Sequence, residues 1–183
     1  LWTIRSLGAG PGIFWFTVAV SASVLANALL SPVLGAMSDR LGRRRPFLAA
    51  FTAVAVGATA AIPLVDIRLG LVLFGVANFS FQASLIYYDA MLATVARPEA
   101  RGRLSGLGGG LGYAGVLVAG VLLQFTTDAD GRITTATFLL TAVLFGLVAA
   151  PALALMREEA PARPGAAAEA RRPFRRLAAA FAG

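Results

Sequence analysis

Apolar residues fall in five long runs separated by short polar connectors. The runs cover residues 12–37, 47–65, 69–92, 104–125 and 133–156. A helix of about 20 apolar residues crosses the hydrocarbon core of a bilayer, so each run predicts a membrane-spanning helix. The connectors hold the breakers and the charges: Pro46, then Pro63 with Asp66 and Arg68, then Arg97 to Arg103, then Asp128, Asp130, Gly131 and Arg132. Residues 1–11 read as a short irregular lead-in, and with Leu1 in place of a methionine the chain is expected to be a fragment. From residue 157 the pattern changes. Residues 158–169 alternate acids, prolines and alanines, as a disordered linker does. Residues 171–181 mix arginines with Phe174, Leu177 and Phe181, which suits a helix on a membrane surface or an unstructured basic linker.

Composition sharpens this. The 183 residues are 58% hydrophobic and 14% charged, with mean hydropathy +0.77. Soluble domains carry about 25% charged residues. The expected fold class is therefore all-α integral membrane. The net charge of +7 would suggest nucleic acid in a soluble protein. Here the arginines lie in the connectors and tail, so membrane lipid is the expected partner and nucleic acid is not. Every cationic residue is Arg, and Cys and His are absent. Disulfides, thiol chemistry, imidazole relays and the usual transition-metal sites are excluded. No catalytic residue, metal, cofactor or enzyme activity is expected; a membrane enzyme would need a convergent cluster, and within the spans only Asp89 is available.

Alternate connectors share one side of the membrane. One set, with the tail, holds thirteen arginines: 40, 43, 44, 45, 97, 101, 103, 157, 163, 171, 172, 175 and 176. The other holds three, Arg5, Arg68 and Arg132. The positive-inside rule puts the first set in the cytoplasm, hence an inner-membrane protein with its N-terminus outside and C-terminus inside.

Two groups of residues stand out as candidate machinery. Asp89 is the only acid inside an apolar span, which makes it a functional candidate with a partner to be found. It lies at the same end of the bundle as Arg40 and Arg43, its candidate partners in a charge relay; proton coupling and simple snorkelling to water are the rival roles. Uncharged polar residues cluster on particular spans. Asn78 and Gln82 are one turn apart and share a face with Asp89, Ser23, Asn27 and Ser31 recur every four residues, and Tyr113 accompanies a glycine-rich run. Hydrogen bonding between helices is the competing reading for each.

The first connector matches Gly-x-x-x-Asp-Arg-x-Gly-Arg-Arg at Gly35, Asp39, Arg40, Gly42, Arg43 and Arg44. In this pattern the chain resembles the major facilitator superfamily, whose second and third helices are joined by such a turn. The resemblance implies that the runs are helices two to six of a twelve-helix transporter. Residues 1–156 would be part of its N-terminal six-helix half and residues 157–183 its inter-domain linker, with the C-terminal half as missing partner. A second stretch, Tyr87-Tyr88-Asp89-Ala90-Met91-Leu92 with Arg97-Pro98-Glu99 and Leu111-Gly112-Tyr113, resembles the vacuole-effluxer-like branch, which includes amino-acid effluxers. That branch commonly has Asn where Asp89 stands here. The sequence from Gly42 to Phe47 also resembles glycoside–cation symporters.

The resemblance implies a permease moving a small solute by alternating access, with amino acids or a sugar as cargo. A non-transporting membrane anchor or partner subunit is the alternative. Gly35, Asp39, Arg40, Gly42, Arg43, Arg44 and Asp89 would form a cytoplasmic gate, Asp39 and Arg43 exchanging charge-assisted hydrogen bonds and Gly35 letting helices approach closely. Asn27, Asn78, Gln82 and Tyr113 would contact substrate, because they fall on helices that line the family's cavity. Drug–proton antiport is disfavoured, since Val116 rather than proline follows Gly115.

Overall fold

The computed structural model describes residues 2–41, 43–95, 101–127 and 133–155. They form α1 (Trp2–Leu7), α2 (Ala9–Leu41), α3 (Arg45–Ala61), a 3-10 turn (Ile62–Leu64), α4 (Ile67–Val95), α5 (Arg101–Gln124) and α6 (Thr135–Leu155). The described residues contain no strand, only an isolated antiparallel bridge between Thr127 and Ile133.

The lead-in expected to be irregular is helical. Gly8, with φ of 85°, supplies the left-handed residue between α1 and α2. Pro11 follows in the first turn of α2, where a missing N–H costs nothing. α1 then folds back on α2 over Gly12, where an added Cβ would lie 2.6 Å from the Thr3 carbonyl oxygen. Further along α2, Pro32 removes the amide that would bond the Ala28 carbonyl. The Ser31 hydroxyl donates to that same carbonyl at 3.1 Å, so the 33-residue helix continues past the break. Pro46 opens α3 and Pro63 sits in the 3-10 turn that follows it. Asp66 caps α4: its Oδ2 accepts from the amides of Arg68 at 3.0 Å and Leu69 at 3.5 Å. At the α5–α6 turn, Thr134 and Thr137 hydroxyls both donate to the Thr126 carbonyl.

α4 is central, with α2 on one side and α3 on the other, and α6 packs against α3. Small residues fill these contacts: Ala55, Ala58, Ala77 and Ala83 are buried. Large apolar residues such as Leu29, Leu117 and Val148 point outward. This distribution suits lipid, where helices gain nothing by hiding leucine but gain packing where small residues let backbones approach. The main cluster of large side chains gathers at one end. Tyr87 of α4 is 1% exposed and stacks on Phe47 at 5.3 Å and Phe51 at 5.8 Å, both from α3. Its hydroxyl reaches α2, donating to the Leu34 carbonyl at 3.1 Å.

Among the described residues, three helices are long and apolar enough to cross a membrane: Ala9–Ser38, Arg45–Leu64 and Ile67–Met91. The apolar part of α6, Thr135–Pro151, is shorter.

Candidate functional site

The arginine-rich connector joins α2 to α3, and its described arginines bind helix carbonyls. Arg44 is half-buried, and its Nη1 donates to the Ala90 carbonyl of α4 at 3.1 Å. Arg45 Nε donates to the Leu153 carbonyl of α6 at 2.9 Å. Leu153 lies in the last turn of α6, whose carbonyls have no amide partner within the helix. The Arg45 guanidinium thus sits where the α6 dipole presents partial negative charge, whereas Ala90 lies five residues before the end of α4. The result is a latch that ties the start of α3 to the ends of α4 and α6 at one face of the bundle.

The other residues of the expected gate are arranged differently. Arg43 and Asp89 are both exposed, and no hydrogen bond or ion pair joins them. Asp39 and Arg40 lie in the last turn of α2, but their side chains, like all of Gly42, lie outside the described residues. The Gly35 carbonyl accepts from the Ser38 hydroxyl at 2.9 Å, and an added Cβ at Gly35 would meet nothing within 4 Å. The close helix approach expected at Gly35 therefore has no partner among the described residues.

The expected substrate residues divide in the same way. Asn27 and Asn78 meet at the α2–α4 contact. Asn78 Nδ2 donates to Ser23 Oγ at 2.7 Å, and Ser23 Oγ donates on to the Val20 carbonyl at 2.7 Å. Asn27 Nδ2 reaches the Phe79 carbonyl at 3.4 Å. These bonds clamp α2 to α4 part-way along both helices. Gln82 is half-buried one turn beyond Asn78. Tyr113 is on α5, its side chain outside the described residues.

If Asn78 acts through Ser23, the two residues are coupled. Asn78→Ala is expected to cost about 0.6–1.7 kcal/mol, and adding Ser23→Ala to cost little more. Unfolding in bicelles with single and double variants measures this; fully additive losses would show that the bond carries no stability.

Two positions with structural roles escaped the sequence reading. Tyr87 was visible only as part of the branch resemblance, since an aromatic residue in an apolar helix carries no signal of its own. The capping role of Asp66 was signalled by its place just before an apolar run.

The model of the family described as Major Facilitator Superfamily matches residues 2–182. An uncharacterized MFS-type transporter of Bacillus subtilis (strain 168), YxiO, is 28% identical over 148 residues, covering 74% of this chain and 34% of that protein. The chain thus spans about a third of the length of that relative. No solved structure matches it.

Proposed function

Because the chain belongs to the major facilitator superfamily, and is a multi-pass integral membrane protein, we propose that it forms part of a secondary transporter moving a small solute by alternating access. The observation that supports this best is the latch: Arg44 and Arg45, in the family's signature connector, hold the ends of α4 and α6. A connector that only fixed topology would not need to bond the carbonyls of two neighbouring helices. A tie made of a few hydrogen bonds can open and reform as two halves rock.

In this reading the arginine-rich face is cytoplasmic, in a cell inner membrane, with the N-terminus outside and the C-terminus inside. Gly35, Asp39, Arg40, Gly42, Arg43, Arg44 and Asp89 work with the C-terminal half as a cytoplasmic gate. Asn27, Asn78, Gln82 and Tyr113 contact the solute, Asn27 and Asn78 by giving up the helix bonds they make here. Amino-acid efflux is the cargo reading carried by the residues from Tyr87 to Leu92. The sugar reading rests on Gly42 to Phe47, where Arg45 and Phe47 are both engaged in helix contacts.

The test is retention of labelled amino acids and glycosides by cells expressing the protein from its native reading frame, against cells lacking it. Faster loss of one or more amino acids supports the proposal. Faster movement of glycosides alone overturns the cargo. Unchanged fluxes of every solute favour the anchor or subunit alternative.

A further inference from the structure

An open apolar groove of about 770 Å³ lies between α1, α2 and α4, away from the arginine-rich latch. It exists because small residues stand where two helices meet. Ala19, Ala22 and Ala26 of α2 face Gly75 of α4, and a Cβ on Gly75 would lie 3.8 Å from the Ala19 carbonyl oxygen. Trp15 and Val72 form its walls. Phe79 lies at its deep end, beside the Asn27 and Asn78 hydrogen bonds.

The groove has a length and a polarity. It runs along α4 from Arg68 to Phe79, eleven residues, or about 16 Å at ~1.5 Å per residue. One leaflet of a hydrocarbon core is about 15 Å deep. Arg68 stands at the membrane-surface end and is exposed. The helix start beside it is already satisfied, since the Asp66 carboxylate takes the amides of Arg68 and Leu69. The guanidinium itself makes no hydrogen bond or ion pair with a described residue. Below it the polar groups among the lining side chains are the Trp15 indole N–H, on the wall, and at depth the Ser23 hydroxyl, already bonded to Val20 and Asn78. A polar solute would find nothing to hold it at depth. An acyl chain needs nothing there.

We propose that the groove holds one acyl chain of an anionic membrane phospholipid, with the lipid phosphate on Arg68. The charge fits: a guanidinium pairs with phosphate through two parallel N–H donors. The volume lies within the about 300–1,000 Å³ of small-molecule sites. This assignment stands on the groove alone and does not depend on transport.

Trp15 reports occupancy directly. The chain has two tryptophans, so a Trp2→Phe background leaves Trp15 as the single emitter. In nanodiscs of phosphatidylcholine, quenching of Trp15 is titrated with phosphatidylglycerol carrying brominated chains, then with brominated phosphatidylcholine. The anionic lipid is expected to quench at about fivefold lower mole fraction, the preference one surface cation gives. Arg68→Gln should bring the two lipids level. Ala22→Phe should fill the groove and abolish the high-affinity phase, and as Ala22 is exposed the variant keeps its fold. Equal quenching by both lipids in the parent chain would overturn the proposal, as would a preference that survives Arg68→Gln. Absence of quenching by either lipid would also overturn it, and would mean that a protein segment covers the groove.

Discussion

Tyr87→Ala is expected to destabilise the bundle by about 2–4 kcal/mol. In a water-soluble core, truncating a large aromatic costs about 3–5 kcal/mol, part of it the lost transfer from water. In a bilayer the separated helices remain in lipid, so that part vanishes and the packing loss remains. Here the packing loss is large, because Tyr87 is the ring that Phe47 and Phe51 both stack on. It also supplies a direct bond between α4 and α2, through the Leu34 carbonyl. Tyr87→Phe keeps the stack and loses only the bond, with an expected cost of about 0.6–1.7 kcal/mol. Unfolding of both variants in bicelles, followed by steric trapping, separates the two contributions. Equal losses for the alanine and phenylalanine variants would mean that the hydroxyl, not the stack, holds the cluster together.

The helices were legible because lipid imposes a simple rule: a span must be long, apolar and closed on its own hydrogen bonds. Among the described residues, three of the apolar runs meet that rule without reference to any neighbour. Residues 2–7 do not, since six residues show no period, and Gly8, Pro11 and Gly12 look like breakers. The structure uses each of them otherwise, as a helix break, a first-turn residue and a contact for α1. The polar positions Asn27 and Asn78 were legible as unusual. What they bond was not, because that depends on how far α2 and α4 are rotated and offset against each other. The arginine connector shows the same limit. Sequence reasoning paired Asp39 with Arg43 and Asp89 with Arg43 or Arg40, and named no partner for Arg44 or Arg45. Among their contacts, Arg44 and Arg45 donate to the carbonyls of Ala90 and Leu153. Which carbonyls lie within reach is set by where α4 and α6 end in space, and no local pattern encodes that.

Arg44→Lys is expected to lower transport about tenfold or more while leaving topology unchanged, and Arg44→Gln to lower it at least as far. Hydrogen bonds to a charged group contribute about 1.5–3 kcal/mol. If the latch forms in one state of the cycle and opens in the other, its loss shifts their ratio by about 10- to 150-fold, since ~1.4 kcal/mol is a factor of ten. A cycle that must visit both states slows when either becomes rare. Lysine separates the two roles of this arginine. It keeps the positive charge that fixes orientation, but it is a compact cation without the planar fork that spans from α3 to the Ala90 carbonyl. Initial transport rates in cells, together with labelling of a cysteine placed next to Leu153 from either side of the membrane, decide the matter. Reduced transport with cysteine labelling shifted toward the open cytoplasmic face fits a broken latch. Full transport by the lysine variant would mean that charge alone is needed at this position, and the connector would then be a topology signal and no gate.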